Sequence, residues 1–389
     1  MANKVLFCAT VDYHFKAFHL PYLKWFKEQG WEVHVAASGE MDLPYVDQKW
    51  NIPIQRSPFN KKNIKAYKEL KKILDQNQYQ MIHCHTPMGG VLARLAARQT
   101  RKRGTKVIYT AHGFHFCKGG PLLPWLIYYP IEKSLSRYTD CLITINKEDY
   151  ELASRHFSAK QTRYVNGVGV NTEQFKPLKE QEKKERKKSF GYQPDDFLLF
   201  YAAEFNKNKN QELLLEALAL IKRDVPHAKL LLAGEGTLLE HCRNRAEELE
   251  LSHMVDFLGY RKDLQEIVPM CDAAVASSLR EGLPVNIMEA MASGLPVVAL
   301  TNRGHRELVQ NDRNGWIIDQ NDPAAFAKKL KALAGMSDVS QKFGNNGRSI
   351  IRNKFSVEKV LNQKSDIYGS FMATKETKHV EALQSGGAR

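Results

Sequence analysis

Two glutamates stand eight positions apart in the string SSLREGLPVNIMEAMASGLPVVAL, residues 277–300. Glu281 follows a predicted strand, and Glu289 lies on a helix predicted to begin near Pro284. The free N–H groups and the positive dipole end of a helix N-terminus bind a diphosphate well, and Gly282 allows the backbone to approach such a ligand closely. We therefore expect a diphosphate seat here, with a carboxylate on either side that accepts hydrogen bonds from sugar or ribose hydroxyls.

Other reactive side chains also follow predicted strands. His112 and its neighbour His115 lie in TAHGFHF, where an imidazole could hydrogen-bond a ligand hydroxyl. His83 and His85 in IHCHTP follow another strand, and their role stays open. The loop after the first strand, which could contact a ligand or its phosphate, contains Asp12, Tyr13 and His14.

The 277–300 string resembles the donor-binding motif of the retaining glycosyltransferases of family 4, which have the GT-B fold. The motifs AGEG at 233–236 and NGV at 166–168, and the lysine of FNKNKNQELLLEAL, Lys209, fall where that family has them. The resemblance extends to about Tyr368. The stretches FHLPYLKWFKEQGWEVHVAA and TAHGFHF are similar to the bacterial capsule and exopolysaccharide branch.

The resemblance implies a role for each motif residue. Glu289 would hold ribose hydroxyls, and Glu281 would hold hydroxyls of the transferred sugar near its anomeric carbon. Lys209 would neutralise charge on the leaving diphosphate, a task for preorganised cations. His112 would lie near the donor sugar, and Glu307 would support the donor pocket. The remaining donor-binding positions are Gly282, Leu283, Pro284, Val285, Gly234 and Glu235.

One position departs from the family pattern. The family usually has an arginine five positions before the lysine, where this chain has Glu204. Because a carboxylate facing a diphosphate is unfavourable, we expect Glu204 to point elsewhere and Lys207 or Arg280 to supply the second cation. Enzymes of this fold generally need no metal, and no Asp-x-Asp occurs. The six cysteines are scattered, so we expect no metal cofactor, structural metal or disulfide framework.

The elements that must position these residues alternate along the chain. Apolar runs from residues 4, 31, 81, 106 and 141 predict strands, with helices such as 18–29 and 64–74 between them. A Lys/Glu-rich stretch, 179–188, predicts a solvated helix. The alternation then restarts with strands from 197, 229, 255, 273 and 296 and helices such as 211–221 and 238–249. This order predicts an α/β chain with two doubly wound, Rossmann-like domains of the GT-B type. Their ligands are expected in the facing cleft, at the carboxyl ends of the strands.

The predicted domains have these boundaries. Residues 1–168 form an acceptor-side domain, and residues 169–354 form the nucleotide-sugar donor domain, with a hinge at NGVGV. Residues 355–373 form a helix that crosses back to the first domain, and 374–389 form a disordered tail. The length of 389 residues and the 43% hydrophobic content suit a globular protein of this organisation.

Positive charge is concentrated in the first half of the sequence. Residues 1–168 hold 25 Lys and Arg against 13 Asp and Glu, so +12 of the net +14 lies there. The segment 61–72 predicts a basic amphipathic helix, and residues 98–106 form a second basic cluster. The apolar PLLPWLIYY, residues 121–129, lies near a surface-type loop in the same domain. Solvated faces are the simpler interpretation. Attraction to an anionic membrane surface and a lipid-pyrophosphate acceptor is the alternative that we favour.

These features predict a retaining hexosyl- or N-acetylhexosaminyltransferase. Its donor would be a nucleotide-sugar, UDP-linked, and its acceptor a lipid-linked saccharide in exopolysaccharide or capsule biosynthesis. No signal peptide and no apolar run of about 18 residues occur, so a cytoplasmic protein, peripheral on the inner face of the membrane, is expected. A GT-B sugar-nucleotide epimerase is one alternative. A basic nucleic-acid-binding protein is another, but the paired glutamates do not suit it, and no nucleic-acid partner is expected.

Overall fold

The computed structural model describes residues 2–372, which form two compact units. Unit 1 contains residues 2–169 together with 358–372, and unit 2 contains residues 170–357. The predicted tail, 374–389, lies outside the described residues.

Unit 1 contains a seven-stranded parallel sheet within its described residues, in the order β3-β2-β1-β4-β5-β6-β7. Alternate residues of its first strand face opposite cores: Leu6 and Cys8 pack into one, and Val5 and Phe7 into the other. Burial of both faces is expected of a parallel sheet that is covered by crossover helices. The strands are β1 (Lys4–Val11), β2 (Glu32–Ser38), β3 (Gln48–Asn51), β4 (Met81–His85), β5 (Lys106–Ala111), β6 (Cys141–Thr144) and β7 (Gln161–Tyr164). The helices are α1 (Tyr13–Phe18), α2 (Leu20–Glu28), α3 (Lys62–Gln76), α4 (Pro87–Ala96), α5 (Arg98–Lys102), α6 (Leu122–Ser136) and α7 (Lys147–His156).

Unit 2 contains a six-stranded parallel sheet in the order β10-β9-β8-β11-β12-β13. Its strands are β8 (Phe197–Ala202), β9 (Ala228–Ala233), β10 (Val255–Gly259), β11 (Ala273–Ala276), β12 (Val297–Leu300) and β13 (Gly315–Ile318). Its helices are α8 (Glu180–Ser189), α9 (Gln211–Ile221), α10 (Leu239–Glu248), α11 (Leu264–Ile267), α12 (Val285–Ala292), α13 (Arg303–Leu308), α14 (Pro323–Gly335) and α15 (Ser337–Ile350).

The last helix, α16 (Val357–Met372), belongs to unit 1 from residue 358 onward. Its residues Val360, Ile367 and Tyr368 pack into the same core as Phe7. The Tyr368 hydroxyl lies 2.9 Å from Nδ1 of His83 on β4, so this helix is tied to the central sheet by both packing and a hydrogen bond.

Both sheets reverse their strand order at one point, between β1 and β4 in unit 1 and between β8 and β11 in unit 2. Open parallel sheets bind ligands at the carboxyl ends of the strands beside such a reversal. The predicted fold class, two doubly wound Rossmann-like sheets, is therefore confirmed.

Several predicted elements differ from the structure. The helix predicted over 18–29 corresponds to α2, and a separate short helix that was not predicted, α1, ends just before it at Phe18. The predicted solvated helix, α8, buries Lys187, whose Nζ donates to the Asp196 carbonyl (2.7 Å) and to an Asp272 carboxylate oxygen (2.8 Å). Strands β3, β7 and β13 were not predicted.

The apolar stretch 121–129, expected near a surface-type loop, forms the first part of α6, with Pro121 just before the helix. Pro124 lies in the first turn, where a missing N–H removes no intrahelical hydrogen bond, whereas Pro130 lies inside the helix. The helix leaves much apolar surface exposed: Leu122, Leu126 and Leu123 are 78%, 74% and 65% exposed.

Candidate active site

The loops that follow β8 and β11 lie side by side at the strand reversal of unit 2. The backbone N–H of Leu279 donates to the Asn208 carbonyl (2.8 Å), and the Asn208 side chain donates to the Arg280 carbonyl (3.0 Å). These hydrogen bonds join the loop that carries Lys209 to the loop that carries Glu281.

Lys209 and Glu281 form an ion pair in this place, with 2.5 Å between Nζ and a carboxylate oxygen. Both side chains are largely but not fully buried, at 23% and 15% exposure. The carbonyl of Lys209 accepts hydrogen bonds from the hydroxyls of Ser277 (2.8 Å) and Tyr201 (3.3 Å). The pair is therefore held on a fixed backbone and remains accessible to a small ligand.

The predicted diphosphate seat is a loop that runs into a helix, with Pro284 preceding the first residue of α12, Val285, as predicted. Gly304 of α13 packs against this loop: a Cβ there would lie 2.8 Å from the Glu281 Cβ and 3.0 Å from the Gly282 carbonyl oxygen. Leu283 anchors the loop in the core, because it is only 7% exposed.

Arg303, at the start of α13, is a cation that sequence reasoning missed. Its Nε donates to the Glu281 carbonyl (3.1 Å), so the guanidinium lies at the loop that forms the proposed seat. Glu307, predicted to support the donor pocket, lies half-buried in the last turn of the same helix.

Glu289, which was predicted to hold ribose hydroxyls, lies half-buried on α12. Burial raises the pKa of Glu289 to about 8. Hydrogen bonds from ligand hydroxyls would stabilise the ionised form of this carboxyl group, because they offset the free-energy cost of removing its charge from water.

The AGEG loop follows β9 and packs on the loop after β8. Gly234 has φ +143°, and a Cβ there would overlap the Ala203 carbonyl oxygen, so only glycine permits this approach. The Phe205 N–H donates to the Glu235 carbonyl (2.9 Å), while the Glu235 side chain is exposed.

The departure at Glu204 is accommodated at the surface. Its side chain is exposed, and its carbonyl accepts from the Gln211 amide (3.0 Å). Lys207 and Arg280, the two predicted substitutes for the family arginine, are also exposed, and Nε of Arg280 lies 3.3 Å from the Asn208 amide oxygen.

Unit 1 has its own cavity of about 1050 Å³ at the carboxyl ends of β1, β4 and β5. Both predicted histidines line it, and the His115 ring lies against Tyr128 with 4.8 Å between ring centroids. The lining is mostly apolar. Its exposed members include Phe59, Ile64, Ile127 and Ile131.

A buried ion pair lies at the wall of this cavity, and its carboxylate partner, Glu132, belongs to the lining. Arg94, 1% exposed, approaches a Glu132 carboxylate oxygen to 2.9 Å. The two atoms in this contact, Nη2 of Arg94 and Oε2 of Glu132, are not aligned as a hydrogen bond, and neither has another partner among the described residues. The guanidinium also stacks on the Tyr109 ring (3.9 Å to the centroid), and the Tyr109 hydroxyl donates to the other Glu132 oxygen (3.3 Å).

His112 is one of four histidines whose ring nitrogens lie within 4.8 Å of one another, with His14, His19 and His85. The sequence did not indicate this cluster, because its members come from separate segments. His83 has a different environment: its nitrogens contact the Thr110 hydroxyl (2.8 Å) and the Tyr368 hydroxyl (2.9 Å).

Asp12, suggested as a phosphate contact, is buried and engaged within unit 1. Its carboxylate accepts from Lys49 Nζ (2.6 Å) and the Met41 N–H (2.8 Å). Burial raises the pKa of Asp12, but the hydrogen bonds from Lys49 and the backbone N–H groups, together with the Lys49 charge, outweigh this and leave the pKa below its ordinary value.

The two predicted basic clusters differ in the structure. Helix α3 exposes lysines at 62, 65, 68, 71 and 72. In the second cluster, Arg101 makes a bidentate pair with Asp140 (2.9 and 3.0 Å) and Arg103 pairs with Asp75 (3.0 Å). These two arginines therefore already have carboxylate partners, whereas attraction of either cluster to anions stays a prediction. Within residues 2–372, no helix has the length and hydropathy that a bilayer span requires.

Comparison with known proteins identifies the family. Residues 4–146 match the model of "Glycosyl transferase 4-like" proteins, and residues 182–350 match that of "Glycosyl transferases group 1". The chain is 51% identical over 373 residues to "Putative glycosyltransferase EpsD" of Bacillus subtilis, which covers 96% of this chain and 98% of that protein. The chain therefore belongs to the glycosyltransferase family that these two models describe.

More distant relatives agree with this assignment. The Escherichia coli "UDP-Gal:alpha-D-GlcNAc-diphosphoundecaprenol alpha-1,3-galactosyltransferase" is 29% identical over 322 residues, 81% of each chain. The solved structure of Anabaena HepE with UDP and glucose matches with a TM-score of 0.78 at 18% identity, over 95% of this chain and 100% of that one. The glycosyltransferase therefore has the GT-B fold, as the sequence predicted.

Proposed function

We propose that this glycosyltransferase transfers a hexosyl or N-acetylhexosaminyl group, with retention, from a UDP-sugar to a lipid-linked saccharide in exopolysaccharide or capsule biosynthesis. The observation that carries the proposal is the Lys209–Glu281 pair beside the start of α12, at the strand reversal of unit 2. Retention rests on the resemblance of this motif to the retaining family 4 enzymes.

The donor site has the groups that a nucleoside diphosphate-sugar requires. The diphosphate would lie on the backbone from Gly282 to Val285, with Lys209 and Arg303 as cations, and we expect no metal ion there. Glu289 would accept hydrogen bonds from the ribose, and Glu281 from the sugar. When the bond between the anomeric carbon and the phosphate oxygen breaks, its electron pair goes to the diphosphate. Lys209 would stabilise that charge.

Two comparisons support a uridine nucleotide. The HepE structure was solved with UDP and glucose, and the printed name of the Escherichia coli relative begins with UDP-Gal. Enzymes with the GT-B fold use many different donors. These two similarities therefore make UDP-sugars the first donors to test.

The acceptor side of the proposal rests on unit 1. Its cavity is apolar, and its exposed lining continues onto the uncovered leucines of α6. Exposed lysines on α3 flank the lining residue Ile64. Apolar side chains beside lysines suit a surface that rests on anionic lipid and admits a lipid diphosphate. The Escherichia coli relative is named for a diphosphoundecaprenol-linked acceptor. We therefore propose a peripheral location on the inner face of the membrane.

The test uses the purified full chain. Calorimetry against UDP- and GDP-sugars identifies the donor, which is then incubated with diphosphate-lipid-linked saccharides in mixed micelles. We expect a UDP-sugar to bind and to give an acceptor-dependent product whose anomeric configuration, read by NMR, matches the donor. An epimerised sugar formed without acceptor would instead support the epimerase, and binding of RNA without binding of any donor would support a nucleic-acid protein.

A further inference from the structure

Four imidazoles meet at the carboxyl ends of the central strands of unit 1. His14 lies on α1, His19 at the break between α1 and α2, His85 at the end of β4, and His112 just after β5. One ring nitrogen from each lies within 4.8 Å of the other three. His19 and His85 are fully buried, whereas His14 and His112 are half-buried and line the cavity.

The spacing of these nitrogens approaches that of a metal site. Nε2 of His14 lies 3.0 Å from Nε2 of His19, and Nδ1 of His85 lies 3.3 Å from Nε2 of His112. Zinc–nitrogen bonds of about 2.0–2.1 Å place tetrahedral ligand atoms about 3.4 Å apart. Two pairs already have nearly this separation, and the widest pair would need to close by about 1.4 Å.

The second ring nitrogen of two members has no partner. Nδ1 of His19 and Nε2 of His85, which are not the nitrogens that approach His14 and His112, are buried without a hydrogen-bond partner among the residues described. In contrast, both nitrogens of the adjacent His83 are hydrogen-bonded.

From this geometry we propose that His14, His19, His85 and His112 form a closed, four-coordinate site for a Zn²⁺-type transition-metal ion. Neutral imidazole nitrogens favour Zn²⁺, Co²⁺, Ni²⁺ and Cu²⁺, whereas Mg²⁺ and Ca²⁺ prefer oxygen ligands. With four protein ligands the site is structural. It ties the segments that follow β1, β4 and β5 together at the wall of the cavity, and it is unrelated to diphosphate neutralisation in unit 2.

The experiment titrates metal into the full chain after chelator treatment. Lys364, a buried amine that faces this cluster, has its pKa lowered to about 7 by burial, so pH 8 keeps it mostly neutral during the titration. We expect one Co²⁺ per chain with the intense visible bands of tetrahedral coordination, their displacement by Zn²⁺, and a rise in the thermal midpoint with Zn²⁺, because a ligand that binds the folded state stabilises it.

Two variants and one control locate the site. His14→Gln and His112→Gln each remove a ligand at the half-buried edge and should weaken Co²⁺ binding by at least about 100-fold. His115→Gln removes an exposed cavity histidine outside the cluster and should bind as the wild type does. Circular dichroism shows whether each variant is folded, and one folded variant of the two is sufficient to test the effect on Co²⁺ binding.

The proposal is overturned if the folded wild type shows no tetrahedral Co²⁺ bands and no Zn²⁺-dependent stabilisation. It is also overturned if the bands persist in a folded His14→Gln or His112→Gln chain. In either case the four rings would be a hydrogen-bonded histidine stack.

Discussion

Nζ of Lys209 lies 2.5 Å from a carboxylate oxygen of Glu281, although the two residues are 72 positions apart. In the donor-free protein each charge therefore neutralises the other in a largely buried place. Under the proposed donor assignment, a diphosphate that reached Lys209 would compete with this carboxylate, and Glu281 would then be released to accept hydrogen bonds from the sugar. The pair would in this way couple donor binding to the exposure of the carboxylate proposed to hold the sugar.

Removal of either partner should abolish transfer while the chain stays folded. We expect Lys209→Ala and Glu281→Ala to reduce kcat by about 100- to 1000-fold, because a preorganised charge at the reacting group contributes about this much. The measurement is the turnover of the donor identified above, with folding checked by circular dichroism.

The matched control is a surface ion pair of the same unit. Lys222 and Glu250 lie 2.7 Å apart, and the Glu250 side chain is 83% exposed. Lys222→Ala and Glu250→Ala should leave kcat unchanged. Near-normal turnover in both site variants would refute the assignment of this site.

The pH dependence of nucleotide binding should report Glu289. Its pKa is raised by burial to about 8 in the free protein, and ribose hydroxyls that bind the ionised carboxylate should lower it in the complex. Nucleotide affinity should then rise as pH increases from 6 to 8, by up to about tenfold per unit, and level off above 8. Calorimetry at fixed ionic strength measures this profile.

Glu289→Gln should abolish the part of the rise in nucleotide affinity with pH that comes from this carboxyl group, because an amide does not titrate. The nucleotide phosphates titrate equally with both chains, so the difference between the two profiles isolates the carboxyl group. Glu240→Gln, at a mostly exposed carboxylate of the same unit, should retain the wild-type profile. Parallel profiles for wild type and Glu289→Gln would show that Glu289 does not contact the nucleotide.

Gly304 should be required for the shape of the diphosphate seat. An alanine Cβ would lie 2.8 Å from the Glu281 Cβ and 3.1 Å from Cδ of Pro284, so the loop must move. We expect Gly304→Ala to weaken donor binding by tenfold or more and to destabilise the fold by about 1–3 kcal/mol, as overpacking does. Donor calorimetry and urea unfolding test both effects.

The same substitution at Gly335 is the control. A Cβ there meets nothing within 4 Å, and Gly335 ends α14, so Gly335→Ala should leave donor affinity unchanged and alter stability by less than about 1 kcal/mol. Equal effects of the two alanines on donor affinity would mean that the close approach of α13 does not shape the seat.

Vesicle binding should depend on the exposed face of unit 1. Leu126→Ser on α6 removes a side chain that is 74% exposed, and we expect about tenfold weaker binding to anionic vesicles. Replacement of Lys61, Lys68 and Lys71 by Gln should weaken it by about 100-fold, because each lysine near such a surface contributes about 1 kcal/mol. These lysines share a helical face with Ile64.

The controls make the same chemical changes in unit 2. Leu220→Ser alters another exposed leucine, and a triple Gln variant of Lys188, Arg223 and Lys328 removes the same charge from exposed positions. Both should bind vesicles as the wild type does. If the control triple lowers binding as much as the α3 triple, net charge determines adsorption and no particular face is involved.

The sequence predicted the elements that its apolar periodicity marks strongly. Helix α9 begins and ends where it was predicted, and α12 begins at the predicted position, because proline and apolar spacing define those bounds. The unpredicted strands β3, β7 and β13 are all edge strands of four residues. An edge strand pairs on one side only, so the polar sequences of β3 (QKWN) and β7 (QTRY) suffice and their hydrophobic signal is weak. Strand β13 (GWII) is apolar, but four residues are too few to show a periodicity.

The sequence alone did not show which residues of distant segments contact one another. The motif named Lys209 and Glu281 separately, but only the adjacency of β8 and β11 places them in contact. Arg303 belongs to no recognised motif, and it reaches the site because α13 follows β12, which pairs with β11. The four histidines likewise do not have the sequence spacing of a zinc motif, because they lie in segments that follow three different strands and meet only in the folded unit.

The buried pair of Arg94 and Glu132 gives a final stability prediction. Glu132→Gln leaves a nearly inaccessible guanidinium without its counter-charge, which should destabilise unit 1 by about 3–5 kcal/mol. A double variant, Arg94→Met with Glu132→Gln, removes both charges. Because the closest atoms of the pair are poorly aligned, the double variant should recover most of that loss. Urea unfolding of the three chains measures the differences. If the double variant is less stable than Glu132→Gln alone, the arginine stabilises the cavity wall through its stacking on Tyr109 and not through the ion pair.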